Sequence, residues 1–518
     1  MTGKIFEHTD YGSPSTVRAQ VCVLGSGCAG ATVAKRLTDH GIDTVIVEQG
    51  GYYPASTMDQ MELNMAGKIS ANRNFDTSHD GGNTLVYGAN VGGASVHYWA
   101  DSYRTPQDRL DLWAQEYGIE GHDTTDLTAA WDEVERNLNI HPAEEHRFNR
   151  MNQILREATK KLGWKGKHIP QARDDRCVNS GHCMQGCLYD GKQSQAVTHI
   201  PTAVDKGARV YADCRALELV RDGPRVSALS AVAMDRHRNR PGNVPIRFEA
   251  DAFVVASGGF NSAFFLMRQQ GLRDALPALG RNFSMNPSVI VHAMYNERIE
   301  IWRGIPAAWD VDEFRLARYD NGDYREGGYL IVANQFQPGL FAASLPGFGD
   351  AHAQWMAELP NIGGTVGWID DHPDELGEIR MTSKGKREVF YEYGPTTRSI
   401  LRDLAKKQAQ LHLAAGARRI MLGDFAGTEI SSSAELDRID DLPVAAGGFL
   451  MGSPHPAGGC RMGSDRTDTV VSSDHRVHGF DNLFVADSSV FPTGPSLDPS
   501  LTIMGFSYIA ADIIRDAL

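Results

Sequence analysis

Apolar residues along this chain fall into three rhythms. Residues 20–24 (Gln-Val-Cys-Val-Leu) and 44–47 (Thr-Val-Ile-Val) are short apolar runs, the form taken by strands buried on both faces of a parallel sheet. Between them, residues 29–40 carry Ala and Leu at helical spacing, and Gly41 stands where such a helix would end. From 105 to about 162 the pattern is amphipathic and helical: Leu110, Leu112, Trp113 and Tyr117, then Leu127, Trp131, Val134 and Leu138, which predict cover rather than chemistry. Residues 49–84 lack periodicity and predict loop. A short helix at 201–206 and strands at 216–220 and 226–234 follow. At 251–268 Val254 and Val255 run into Gly258-Gly259 and then into a helix. Between 288 and 446 alternation takes over, so 289–295, 328–334, 364–368 and 388–393 predict a largely antiparallel sheet, with a long helix over 396–415. Residues 482–487 form a last buried strand ending at Asp487. A final helix runs from Pro499 to Arg515, with Asp498 as its expected N-cap.

The first strand, helix and second strand enclose Gly25-x-Gly27-x-x-Gly30. The first glycine permits the tight turn, the second lets a pyrophosphate approach the backbone, and the third lets helix and strand pack closely. The helix start then offers free N–H groups and a partial positive charge to phosphate. Glu48, 18 residues after Gly30, closes the second strand with a carboxylate suited to ribose hydroxyls and repellent to a 2′-phosphate. At this point NAD and FAD are equally served. The turn at Gly258 can touch the same nucleotide from another strand end.

At 518 residues the chain is long enough for two domains or one large composite domain, and 42% hydrophobic with 22% charged residues is ordinary for a globular protein. A net charge of −14 argues against nucleic acid or an anionic membrane as partner. No apolar run is long enough to span a bilayer, and residues 1–18 lack the apolar core of a secretory peptide. The seven cysteines are an odd, scattered set, which points to a reducing compartment, with cytoplasm as the expectation. Three of them, Cys177, Cys183 and Cys187, lie within eleven residues beside His182. Thiolates so spaced could hold an iron–sulfur cluster, or form a compact loop of reduced or partly paired thiols.

Two further blocks carry candidate chemistry. Residues 88–99 join Val91, Gly92, Gly93 and Ser95, which leave room for backbone against a flat ligand, to His97, Tyr98 and Trp99. In Ser453-Pro-His-Pro-Ala-Gly-Gly-Cys-Arg-Met-Gly463, His455 sits among proline and glycine, where no helix face can hold it.

Together these blocks resemble the glucose–methanol–choline family of FAD oxidoreductases from end to end, with Gly258-Gly259 and Gly280-Arg281-Asn282 matching two weaker family blocks. The resemblance implies a Rossmann-like FAD-binding domain with an inserted substrate domain, built on a largely antiparallel sheet covered by helices in the manner of p-hydroxybenzoate hydroxylase. The FAD-binding domain would comprise 1–105, 199–287 and 445–518, and the substrate domain and cap 106–198 and 288–444. It implies that Gly25, Gly27, Gly30 and Glu48 bind the ADP half of FAD, helped by Ala216 and Gly258. Val91, Gly92, Gly93, Ser95, Asp487, Ser488, Pro499 and Leu501 would line the pyrophosphate and flavin. His97 aligns loosely with a position where some sugar-oxidising members attach FAD covalently. His455 matches the family's histidine that takes the substrate hydroxyl proton as hydride passes to flavin N5, work suited to an imidazole of ordinary pKa about 6.5.

The chain departs from the family in having Asp498 where Asn or a second His is usual, so Asp498 is expected to partner His455. The residues after Cys187, Asp190-Gly191-Lys192-Gln193, look more like the long-chain alcohol oxidase branch, where no cluster is expected. The implied activity is oxidation of a sugar, glycoside or other alcohol hydroxyl to a carbonyl. Electrons would go to a quinone, a protein acceptor or a small partner subunit. An oxidase using dioxygen shares every motif, and a lyase or isomerase retaining FAD is the alternative of a different class.

Overall fold

The computed structural model describes residues 3–237 and 240–518. Its first layer is a six-stranded sheet in the order Lys4–Phe6, Arg209–Tyr211, Thr44–Val47, Val21–Leu24, Ala252–Val255 and Leu483–Val485, with every pairing parallel. The three central strands are buried at every position, as their unbroken apolar runs require. The helices Cys28–Asp39, His199–Asp205 and Ser500–Ala517 pack side by side on this sheet. A second sheet is formed by Cys214–Asp222, Arg225–Asp235, Arg240–Glu249 and Ser15–Arg18, the last joining in parallel.

A seven-stranded antiparallel sheet makes the other half, in the order Glu429–Ile430, Arg419–Leu422, Ser288–Met294, Ile362–Ile369, Tyr329–Ala333, Trp309–Val311 and Gly166–His168. Helices Pro395–Ala414 and Arg150–Leu162 cover it. Contact is close enough to demand glycine at one point. A Cβ on Gly367 would meet Leu404 Cδ1 at 2.4 Å and the Leu330 carbonyl at 2.7 Å.

Several local expectations are corrected. The helical stretch after 105 is three helices, Gln107–Tyr117, Thr124–Asn137 and Arg150–Leu162, with strand Ile140–Pro142 between the last two. Arg387–Phe390 pairs only with Glu378–Met381 in a separate ribbon. Residues 49–84 contain the helix Glu62–Ile69. Only Met65 and Ile69 on it are buried, too few to register as periodicity. The last helix begins at Ser500 with Pro499 as N-cap, because the Asp498 side chain is turned to another partner.

Leu404 is fully buried between the long helix and the antiparallel sheet. Leu404→Ala should cost about 2–5 kcal/mol by lost burial plus cavity, read as a lowered midpoint in thermal unfolding.

Candidate active site

The glycine turn after Val21–Leu24 is built by exclusion. A Cβ on Gly25 (φ +105°) would lie 2.2 Å from the Ala256 carbonyl oxygen, and one on Gly30 would lie 2.0 Å from the Gly25 oxygen. Gly27, the N-cap of helix Cys28–Asp39, supplies no side-chain cap, and the nearest heavy atom in its Cβ direction is Gly93 Cα at 3.8 Å. Gly93 (φ +57°) returns the constraint, since its Cβ would meet Gly27 Cα at 2.7 Å. The two glycine turns therefore meet back to back, and the helix's first N–H groups carry no side-chain cap. That is the cradle a pyrophosphate needs.

Glu48 is held beside it. Its Oε2 accepts from Ser26 N–H (3.1 Å) and Ser26 Oγ–H (2.8 Å), and its Oε1 accepts from Gly50 N–H (2.8 Å). Burial pushes this carboxyl up, while those three donors pull it back down. Oε1, with one donor, keeps capacity for a ribose hydroxyl. Ser26 Oγ also accepts Gly92 N–H (3.1 Å), so one hydroxyl ties the acidic strand end to the second glycine turn. Ser26 occupies a variable position of the glycine fingerprint and escapes a motif search.

Asp487 is a clasp. It accepts from Gly258 N–H (2.7 Å), Ser262 Oγ–H (2.5 Å) and Ser489 N–H (2.9 Å), holding the Gly258 turn against the last strand. Ser488 Oγ donates to the Pro456 carbonyl (2.7 Å) and so anchors the segment carrying His455. Ala216 lies half-buried at a bulge in Cys214–Asp222, whose start is bonded to the Glu48 carbonyl by Cys214 N–H (2.8 Å). Val91 is buried in the core of the parallel-sheet domain. Ser95 Oγ donates to the Gly92 carbonyl (2.6 Å) and accepts Gln195 N–H (2.9 Å), which makes it a brace for the turn. His97 is buried with Nε2 unpartnered, and burial next to Lys192 pushes its pKa down to about 4. Pro499 offers no capping side chain and Leu501 is fully buried in the first turn of the last helix.

His455 follows strand Met451–Ser453 and leans on Trp368, with ring centroids 5.1 Å apart. Its Nδ1 lies 2.9 Å from Asn286 Oδ1. The Asn286 amide nitrogen donates to the Ile369 carbonyl (2.5 Å), which fixes its oxygen toward the ring, so His455 Nδ1 carries a hydrogen. Asn286 adopts φ +50° and is pinned by its N–H to Asp371 (2.8 Å), whose carboxyl also accepts from Ser284 Oγ–H, Met285 N–H and Tyr391 O–H. On the other side, His455 Nε2 lies 2.8 Å from Asp498 Oδ1, and Asp498 Oδ2 is buried without a partner. With Nδ1 committed, the 2.8 Å contact requires one proton between Nε2 and Oδ1. The pair is uncharged as a whole.

More acid lies behind it. Asp101 is buried and accepts Gln171 Nε2–H (3.0 Å); burial pushes its carboxyl well above the usual range. Asp310, fully buried under Tyr103 O–H (2.7 Å), is pushed up to about 7 by burial. The sequence reading missed Asn286, Asp371, Asp101 and Trp368, which carry no motif and lie far from His455 along the chain. Trp309 and Trp355 are buried in core clusters. Cys177, Cys183 and Cys187 are free and half-buried. Among the described residues, Glu7, His8 and Asp213 converge as metal ligands would, but Arg236 donates to both carboxylates there.

A parallel dinucleotide domain joined to an antiparallel sheet, with a histidine held between strands of the second and the last helix of the first, is the plan of a two-domain flavoprotein oxidoreductase. Residues 22–288 and 373–507 match the N- and C-terminal parts described as GMC oxidoreductase, and the chain belongs to that family. It is 27% identical to an uncharacterised GMC-type oxidoreductase of Mycobacterium tuberculosis, over 96% of this chain and 76% of that protein. It is 23% identical to a long-chain-alcohol oxidase of Arabidopsis thaliana, over 97% and 68%. The crystal structure of pyridoxine 4-oxidase from Mesorbium loti shares the fold, with TM-score 0.70 and 17% identity over 96% of this chain and 99% of that one. No helix among the described residues is long and apolar enough to cross a membrane.

The family's members are FAD-binding flavoproteins. The residues present fit that group: an uncapped helix start, two abutting glycine turns and a carboxylate with spare capacity.

Ser26→Ala removes a donor to Glu48 and leaves Gly92 N–H unpaired. FAD affinity should fall about 5- to 150-fold, as expected for 1–3 kcal/mol, measured by flavin fluorescence on titrating apoprotein. The raised Asp310 carboxyl binds its proton more tightly in the folded chain than in the unfolded one. It therefore contributes stability at acid pH that is lost as pH rises from about 4 through about 7. Asp310→Asn should flatten the decline of melting temperature between pH 5 and pH 8.

Proposed function

We propose that this chain oxidises the CH–OH group of a small alcohol or sugar to a carbonyl, with His455 and Asp498 handling the hydroxyl proton and a quinone or protein as final electron acceptor. FAD, when bound, supplies the acceptor for the carbon-bound hydride. The observation that carries the reading is the proton-sharing His455–Asp498 contact, with the far side of the imidazole anchored on Asn286.

In this reading the alcohol oxygen enters between Nε2 and Oδ1. The shared proton stays on Asp498, which donates to the substrate oxygen as an amide N–H would. The hydroxyl proton passes to His455 Nε2, and the resulting imidazolium is held by Asn286 Oδ1. A protonated Asp498 adds no negative charge where electron density builds during hydride transfer, whereas a carboxylate in this position would raise the barrier. Trp368 closes one side of the imidazole and supplies an apolar wall. The long-chain-alcohol and pyridoxine oxidases among the similar proteins support alcohol oxidation in general.

The test is anaerobic mixing of the FAD-loaded protein with a panel of primary alcohols, secondary alcohols and glycosides. Bleaching of the flavin absorbance is the expected result, and its absence with every compound would favour the non-redox alternative. Asp498→Asn keeps a donor and should hold the rate of bleaching within about tenfold, while His455→Ala should lose about 10²- to 10⁴-fold. If Asp498→Asn is as damaged as His455→Ala, the aspartate is needed as a base and the roles assigned above are wrong.

A further inference from the structure

The reaction proposed above makes no use of the cysteine-rich segment. Cys177, Cys183 and Cys187 line one narrow cavity of about 20 Å³, room for about one water-sized molecule, together with His182, Arg173 and Lys192. Of the other four cysteines, three are kept out of reach and Cys28 is half-buried. Cys22, Cys214 and Cys460 are fully buried, with burial pushing each thiol up, and Cys28 is pushed up to about 12.

Within the cavity the sulfurs have distinct surroundings. The buried Arg173 guanidinium donates from Nη1 to Cys177 Sγ (3.0 Å) and from Nη2 to Gln171 Oε1 (2.8 Å), so a fixed cation sits on the sulfur of a half-buried cysteine. Arg147 donates to the Cys177 carbonyl (2.9 Å). Burial pushes the Cys183 thiol up. Cys187 Sγ accepts Lys192 N–H (3.4 Å). The segment is irregular apart from the turn Cys183–Gln185, with Asn179, Gly181, Gly186 and Asp190 all at positive φ, so its sulfurs can change partners without breaking a helix or strand.

We propose that Cys177 and Cys183 form a hydroperoxide-responsive dithiol, Cys177 attacking and Cys183 resolving. The Cys177 sulfur attacks one peroxide oxygen; the S–O bond forms, the O–O bond breaks, and the leaving oxygen departs as water with the thiol proton. The Cys183 sulfur then attacks the sulfenic sulfur. The S–S bond forms, the S–O bond breaks, and a second water leaves with the Cys183 proton. Two thiols are oxidised by two electrons and one peroxide is reduced to two waters.

The consequence for the rest of the chain runs through Lys192. Its buried ammonium gives its three N–H bonds to the carbonyls of Val96 (2.7 Å), Tyr98 (3.0 Å) and Cys183 (2.6 Å). Burial already pulls its pKa down to about 8. A disulfide at Cys183 pulls on one of three acceptors and loosens the tie to residues 96–98. The oxidation does not depend on which substrate the protein uses, because the oxidant is supplied in the test.

The full-length protein, reduced and freed of reductant, is treated with one equivalent of hydrogen peroxide, blocked with N-ethylmaleimide and mapped by peptide mass. The expected product is a dithiothreitol-reversible cross-link between the peptides of Cys177 and Cys183, with loss of two hydrogens. In Cys183→Ser, dimedone should instead trap the Cys177 sulfenic acid. Before oxidation Cys177 should react with N-ethylmaleimide at least about 100-fold faster than Cys460. Equal labelling of all seven cysteines, a cross-link that excludes Cys177, or oxidation confined to methionine would overturn the assignment. In the oxidised protein FAD should dissociate severalfold faster, and dithiothreitol should restore the original rate.

Discussion

An imidazole whose Nδ1 hydrogen is already given to Asn286 can approach a carboxyl oxygen at 2.8 Å only if a proton lies between them. That condition governs the electrostatics of the whole junction. Asp498 is 7% exposed, with one oxygen unpartnered, and an isolated carboxylate there would be costly. Sharing a proton with His455 leaves the pair without net charge. The acids behind it answer to the same cost of burial: it pushes the Asp101 carboxyl well above the usual range and the Asp310 carboxyl up to about 7.

The geometry of that contact is held from outside. Asp371 gathers four donors from Ser284, Met285, Asn286 and Tyr391, which fixes the left-handed turn at Asn286. Ser488 holds the carbonyl of Pro456 on the other side. On the Asn286 side the groups that position His455 have their partners in place, the condition under which polar networks rigidify rather than destabilise. Helix Ser500–Ala517 gives up side-chain capping at its start, because Asp498 serves the histidine instead.

At the nucleotide end the controlling constraint is steric. Gly27 and Gly93 approach so closely that a Cβ on the second would strike the Cα of the first, and Ser26 joins both turns to Glu48. Two chain segments far apart in sequence thus abut at the uncapped start of helix Cys28–Asp39. The thiol-lined cavity is tied to that surface by the Lys192 ammonium, so the cysteine segment and the glycine block share a buried cation.

Residues 20–48 were legible because local rules act on neighbours: an apolar run buried on both faces, a glycine turn, a helix and a terminal acid lie within one βαβ unit. The antiparallel strands at Ser288–Met294, Tyr329–Ala333 and Ile362–Ile369 were visible for a similar reason, their side-chain pattern being read along one strand at a time. The short helix Glu62–Ile69 was hidden because it buries too little to leave a period. What the chain determined by itself was most of the strands of its two large sheets, the glycine turn after Val21–Leu24 and the identity of His455 as a residue outside any core. Only the tertiary structure decided that Asp498 faces the histidine rather than capping a helix. It also decided that Asn286 sets the tautomer, that Trp368 stands beside the imidazole, and that three cysteines share one cavity with Arg173 and Lys192. Those outcomes depend on distances between residues brought together by sheet order and loop closure, and spacing along a chain contains no record of such distances.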